Sequence, residues 1–218
     1  MRPILITGGA TQNPIDSMRY ITAYATGNTA IAIAMQLQQF EPELTLLCSP
    51  LGAYNAKSQG YTQNIHTFSS TRNLQQKMHD WLNIHPTGIV IHSAAVGDYE
   101  IANENNIHTK IASNQSELIL TLQPAPKILS GLKSLAPRSK IISFKAASPD
   151  ISFEQMIEIA KKQLQNSKSD IVFANQIGKT HQNIALVYPH TTKNISKREL
   201  AIQQIVNEVT NWMQQDNS

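Results

Sequence analysis

Three features of the sequence predict a mostly parallel β-sheet, wound in both directions from an N-terminal strand, with helices on both faces. Short β-branched apolar runs alternate with amphipathic runs of helical length. The first run, Ile4-Leu5-Ile6, breaks at Gly8-Gly9 and reaches a helix only after a long loop, and an Asn-rich stretch interrupts the alternation near residues 101–122. Parallel strands are buried on both faces and so read as continuous apolar runs, and their alternation with helices marks crossover units. The predicted fold class is therefore α/β, Rossmann-like and doubly wound, with a β-hairpin arm over 101–122.

Pro3-Ile4-Leu5-Ile6-Thr7 reads as the first strand, Gly8-Gly9-Ala10-Thr11 as its turn, and Gly27 to Gln39 as the first helix. Glycine lets the main chain approach an anion closely, and the first N–H groups of a helix lack internal partners, so this pairing favours phosphate. An ordinary βα turn would need the glycines for geometry alone. The GxGxxG spacing of a dinucleotide fingerprint is absent, because Gln12 to Thr22 intervenes. Leu44 to Cys48 reads as the second strand, ending at Ser49-Pro50; a polar stretch and a short strand, Asn64 to Phe68, follow. Leu74, Met78, Trp81 and Leu82 recur at helical spacing over Thr71 to Asn83, with Thr71 as N-cap.

Gly88 to His92 reads as a buried parallel strand that runs into Ser93-Ala94-Ala95-Val96-Gly97-Asp98-Tyr99. A carboxylate just past the C-terminal end of such a strand lies where open α/β sheets bind ligands, although Asp98 also suits a turn or a cap. Thr109 to Ser113 and Glu117 to Leu122, joined by Asn114-Gln115-Ser116, read as the hairpin arm. Pro126 opens a short helix, Lys140 to Phe144 is a strand, Phe153 to Asn166 an amphipathic helix, and Asp170 to Ala174 a strand ending at Asn175. Asn183 to Tyr188 reads as the last strand, and Ser196 to Met213 as a closing helix with Ser196 and Glu199 as a capping box.

With 218 residues, one domain spanning 1–218 is expected. The net charge of +3 is scattered and only 6% of residues are aromatic, which argues against a nucleic-acid surface. Cys48, the single cysteine, leaves no internal disulfide; it reads as a buried strand residue and fits a reducing compartment. Without a charged leader or a membrane-length apolar run, a cytoplasmic protein with no membrane partner is expected. The seven histidines lack HExxH-like spacing, so no protein metal site is expected, and no GxSxG or Cys/His arrangement suggests a hydrolase.

The run from Ile6 to Thr22, ITGGATQNPIDSMRYIT, resembles the opening of phosphopantothenoylcysteine synthetases (phosphopantothenate–cysteine ligases), the CoaB half of bifunctional coenzyme A flavoproteins. Five further matches follow in order: Ala94-Ala95-Val96-Gly97-Asp98-Tyr99, Lys110-Ile111, Pro126-Lys127-Ile128-Leu129, Phe144-Lys145-Ala146 and Ala174-Asn175. The resemblance implies that Gly9, Gly27 and Asn175 hold a nucleotide with Phe144 packed on it, that Ala94, Ala95 and Asp98 line the phosphopantothenate site, and that Lys110 brings catalytic charge from the arm. It also implies CTP or ATP as co-substrate with Mg2+, 4′-phosphopantothenate and cysteine as the other substrates, and a homodimer. Flavin is not expected, because the decarboxylase half has no counterpart in this sequence.

Several side chains depart from the pattern. Ala23 stands where the family has an asparagine that contacts substrate and acyl intermediate, and Asn28, Ala112, Ala147, Gln163 and Ser167 replace further polar or charged residues. Lys162 and Lys168 neighbour the last two positions, but one residue along a helix rotates a side chain by about 100°. The resemblance thus leaves open a repurposed relative that binds a nucleotide or acyl phosphate without ligating cysteine. A nicotinamide-dependent oxidoreductase is less well supported, because Cys48-Ser49-Pro50 stands where an acidic ribose partner would follow the second strand.

Overall fold

The computed structural model describes residues 1–40, 42–102, 109–112, 114 and 116–215. Strand β1 (Ile4–Gly8) is buried along its whole length inside the main sheet. A small antiparallel pair, β2 (Gln12–Pro14) and β3 (Tyr20–Thr22), occupies what the sequence presents as a loop before α1 (Asn28–Gln38). Strand β4 (Leu44–Cys48) pairs with β1; helix α2 (Pro50–Ser58), strand β5 (Ile65–Thr67) and helix α3 (Thr71–Ile84) extend the fold outward. The chain then crosses back, and β6 (Ile89–His92) pairs with the other side of β1. After the short ladder of β7 (Tyr99–Ile101) with β8 (Leu122–Pro124) come α4 (Ile128–Leu135), β9 (Lys140–Ala147), α5 (Phe153–Ser167) and β10 (Ile171–Gln176). Two antiparallel strands, β11 (Gln182–Val187) and β12 (Thr192–Lys197), close that edge before α6 (Arg198–Gln214).

The resulting sheet order is β12-β11-β10-β9-β6-β1-β4-β5, the doubly wound α/β fold that the alternation predicts. Alternate strand residues feed opposite faces. Ile4, Ile6, Leu46 and Phe173 pack with Ile31, Leu37, Ala53 and Val209 beneath α1, α2 and α6, whereas Leu5, Leu47, Val90 and Ile141 pack with Leu74, Met78 and Leu132 beneath α3 and α4. Helix α5 covers Val172, Ala174 and Ala185 through Met156, Ala160 and Leu164. Cys48 is fully buried in β4, and desolvation pushes its thiol up to about 12. Among the described residues no helix is long and apolar enough to cross a membrane.

Several expectations are corrected. Ser49-Pro50 does not merely end a strand: Ser49 Oγ accepts from Gly52 N at 3.2 Å, and Pro50 opens α2. Helix α3 is capped by Ser70, whose side chain accepts from Asn73 N, rather than by Thr71. Pro126 lies ahead of α4, whose N-cap is Lys127. Strand β11 is followed by β12, and β12 absorbs Ser196, so α6 starts after Lys197 with no side-chain cap.

The anticipated hairpin over 109–122 forms at its root instead, where β7 pairs with β8, and the described residues 109–112 and 116–121 carry no ladder. Leu118, Ile119 and Leu120 are exposed, so the alternating pattern there finds no face of this chain on which to bury. Bidentate pairing of Arg72 with Glu100 fixes the root, through Nε at 3.0 Å and Nη2 at 2.5 Å. Residues 103–108, Ser113 and Gln115 of the expected arm lie outside the described residues.

Candidate active site

The winding reverses between β1 and β6, the position at which an open α/β sheet offers a crevice to a ligand. Gly9 turns the chain there with φ +83°, and a Cβ on it would meet Ser49 Oγ at 2.0 Å. Gly27, the N-cap of α1, has φ +84°; its Cβ would lie 3.1 Å from Gly52 Cα and 3.3 Å from Gly9 N. The three turns at Gly9, Gly27 and Ser49 therefore meet with no room for side chains. Across the reversal, Ala95 N donates to Gly9 O at 2.8 Å and Thr11 N to Ala95 O at 3.1 Å. Gly9, Gly27 and Ala95 are thus brought together, with partly buried Ala94 beside them.

A polar layer holds this edge. Thr11 Oγ1 accepts from Gly97 N at 2.8 Å and from Thr71 Oγ1 at 3.1 Å, while Asn13 accepts from Thr71 N and donates to Tyr99 O, both at 2.8 Å. Below it, Thr7 Oγ1 lies at hydrogen-bond distance, 2.8 Å, from His92 Nδ1 and accepts from Ala94 N at 3.3 Å. Burial pushes His92 down to about 4. The unfolded chain takes up a proton near pH 6.5 that the folded one refuses until near pH 4, so stability is full above about pH 6.5 and is lost as pH falls through that window, by about 3 kcal/mol. We expect urea midpoints to fall less between about pH 7.5 and about pH 4.5 for His92→Asn than for the wild type. Equal falls would mean that this imidazole is not held neutral.

Phe144 and Asn175 lie on neighbouring strands, with Phe144 opposite Phe173 and Asn175 opposite Ala146. The Phe144 and Phe173 rings stack with centroids 4.7 Å apart. Asn175 is buried, and its amide donates to Gln176 O at 3.3 Å. Asp98 is exposed and pairs with Lys127. Lys110 is exposed, and among the described residues no hydrogen bond ties its side chain to the other candidates.

Sequence reasoning missed Arg198. Its guanidinium donates to Thr29 Oγ1 at 2.8 Å in the first turn of α1, donates to Thr180 O at 3.0 Å and sits 5.2 Å from the Phe173 ring centroid. No carboxylate among the described residues forms an ion pair with it. Ser49 was likewise hidden, since its role depends on a turn forty residues away in the chain.

A cavity of about 520 Å³ lies elsewhere, lined by Lys161, Leu164, Tyr188 and His190. Val187 pairs with Val172 at the start of β10, which places this cavity at the opposite edge of the sheet. Among the described residues no three His, Cys, Asp or Glu side chains gather as a metal cage.

The family model of the DNA/pantothenate metabolism flavoprotein C-terminal domain matches residues 1–213. The chain belongs to this family. It is 31% identical over 204 residues to the Coenzyme A biosynthesis bifunctional protein CoaBC of Thermococcus kodakarensis, covering 91% of this chain and 48% of that protein. The CoaBC of Escherichia coli K12 is 24% identical, over 82% of this chain and 42% of that protein. The chain thus spans less than half the length of these curated relatives. The crystal structure of the DNA/pantothenate metabolism flavoprotein from Streptococcus pneumoniae has the same fold, with a TM-score of 0.83 at 23% identity, covering 97% of this chain and all of that one. A Cab2 mutant in complex with phosphopantothenate-cysteine aligns over 100% of this chain and 89% of that one, with a TM-score of 0.77 at 16% identity.

Within this flavoprotein C-terminal-domain family, the departures noted in the sequence fall into two groups. Ala23, Asn28 and Ala112 are exposed. Gln163 and Ser167 face inward: Gln163 donates to Ser143 Oγ at 3.0 Å and Phe144 O at 3.2 Å, and Ser167 Oγ lies 2.6 Å from Gln163 O and 2.7 Å from Ser169 Oγ. Ser169 Oγ completes the chain to Ser143 Oγ at 3.0 Å. This network is neutral and satisfied from within. Ala147 is also buried, at the end of β9.

Proposed function

We propose that the chain is a phosphopantothenate–cysteine ligase of coenzyme A biosynthesis. The observation that carries this reading is the convergence of Gly9, Gly27 and Ala95 at the sheet reversal, in a chain that belongs to the DNA/pantothenate metabolism flavoprotein C-terminal domain family. In the reaction, a carboxylate oxygen of 4′-phosphopantothenate attacks the α-phosphorus of a nucleoside triphosphate, and the bond to pyrophosphate breaks. The amine of cysteine then attacks the acyl carbon, an amide forms, the nucleoside monophosphate leaves, and the amine gives up its proton.

Such a site must neutralise phosphate charge with fixed dipoles and cations rather than with a covalent nucleophile. Backbone N–H groups at Gly9 and the start of α1, with Gly27 and Asn175 beside them, would receive the nucleotide. Arg198 supplies positive charge at that helix end, and Phe144, stacked on Phe173, offers a ring for the base. Ala94, Ala95 and Asp98, the last with Lys127 beside it, would hold phosphopantothenate. Magnesium would enter mainly on the triphosphate and would screen its charge. CTP and ATP are both open as the nucleotide.

Two copies are proposed to associate through the arm, where Tyr99, Ile119 and Leu122 are exposed, and the enzyme would work in the cytoplasm. Purified protein given phosphopantothenate, cysteine, magnesium and CTP or ATP should release pyrophosphate only when phosphopantothenate is present. Lys110→Ala should lower that turnover about a hundredfold while leaving the urea midpoint unchanged, as expected if an exposed cation stabilises transition-state charge. Unchanged turnover would return Lys110 to the role of a solvated surface charge.

The neutral network of Gln163, Ser143, Ser167 and Ser169 favours a second reading, a binding relative that does not ligate. Nucleotide binding by calorimetry without pyrophosphate release would select it. Nicotinamide binding alone would sink both.

A further inference from the structure

The turn between β2 and β3 carries a carboxylate with no solvent exposure, that of Asp16. Its Oδ1 accepts from Met18 N at 2.9 Å and Arg19 N at 2.7 Å, and its Oδ2 accepts from Arg19 Nε at 3.0 Å and Arg19 Nη2 at 2.5 Å. These bonds account for a local turn. A further one does not: Oδ2 also accepts from Ile111 N, at 3.0 Å, on the arm. Arg19 Nη2 in turn donates to Ile111 O at 2.9 Å, and Ser17 N to Thr109 O at 3.3 Å. Both backbone groups of Ile111 and the carbonyl of Thr109 are therefore held, while the side chain of Lys110 between them stays exposed.

We infer that Asp16 and Arg19 are positioning residues that fix the arm's backbone on either side of Lys110 and so present its ammonium to the site. What Lys110 does once presented rests on the ligase reading; the anchoring does not. A guanidinium that bridges a carboxylate and a carbonyl uses donors set in a rigid fork, which lysine lacks. Anchoring both neighbours removes most of the backbone freedom that a lysine on a loop would have to lose at each turnover.

The Lys110–Ile111 peptide, whose N–H Asp16 accepts, is itself a trypsin site, so the anchoring can be read without any ligand. The Arg19 side chain is 45% exposed, so Arg19→Ala should leave the core alone, and Asp16→Asn keeps the shape. Under native conditions we expect cleavage after Lys110, followed by mass spectrometry, to be at least roughly tenfold faster in both variants than in the wild type, with unchanged core melting. Arg19→Lys should remain fast.

In the pyrophosphate assay, Arg19→Ala should lower kcat toward the Lys110→Ala value with little change in nucleotide KM, and should cost nothing further when added to Lys110→Ala. Wild-type cleavage rates at Lys110 in both variants, or full additivity with Lys110→Ala, would overturn the inference. If no form of the protein releases pyrophosphate, the ligase reading fails while the proteolysis result still decides the anchoring.

Discussion

Ala23→Asn should raise ligase turnover by a large part of a hundred- to a thousandfold. The segment between β3 and α1 brings Ala23 to the surface. The Thr22 hydroxyl already donates to Ala23 O at 3.1 Å, and Tyr24 is wholly exposed. An asparagine amide offers two donors and an acceptor where alanine offers none, and loss of one such contact in a transition state typically costs about 2.7–4 kcal/mol. An interaction realised only in the transition state changes kcat rather than nucleotide affinity, so calorimetric binding should barely move while pyrophosphate release rises. A small gain would point to the Tyr24 phenol as a substitute, and Tyr24→Phe should then abolish turnover. If the wild type and Ala23→Asn are both inactive, with normal folding and nucleotide binding, the ligase reading gives way to a binding role.

Gly9→Ala should be the most damaging single methyl in the site. At φ +83° an L-residue is strained, and the new Cβ would have to displace Ser49 Oγ from 2.0 Å and Ser49 Cβ from 2.8 Å. Left-handed backbone strain and overpacking each cost about 1–3 kcal/mol, so a loss on the order of 3 kcal/mol or more is expected in urea unfolding. Adding Ser49→Gly should return only part of it, because the backbone strain remains and Ser49 N would still lie 3.2 Å from the methyl. A Gly9→Ala midpoint equal to that of the wild type would contradict the close meeting of these turns.

The parts of this fold that the sequence announces are those buried on two sides. Ile4 to Gly8 and Ile89 to His92 show every residue inside, so their apolar runs have one interpretation. Strand β12, Thr192–Lys197, buries none of its residues fully and is rich in lysine, as suits an edge, and so it has no alternation to find. Its Ser196 and the downstream Glu199 imitate a capping box, yet Ser196 lies inside β12, whose pairing with β11 runs on to Lys197. Helix α2 was hidden because its inner face is Ala53 and Ala56, too small to make a hydrophobic stripe.

At the sheet reversal, the turns at Gly9 and Gly27 could be read because their geometry is local. Arg198 over Phe173 and Asp16 on Ile111 could not be read, since their partners are joined only by the tertiary fold.

The place of β1 in the sheet bears on how the chain emerges during synthesis. Its first partner, β4, follows some forty residues later, but the strand that covers its other edge pairs Ile4 with Ile89. At roughly 5–20 residues per second, a ribosome makes that second partner about 4–17 s after β1. For that interval Ile4, Leu5 and Ile6 present one unpaired edge of a nascent βαβ half to whatever else is near, long enough for a holdase chaperone to bind or for two chains on one polysome to pair wrongly. Slower translation ahead of residue 89 would lengthen that exposure, so yield in a chaperone-depleted cell should depend on codon choice in this region.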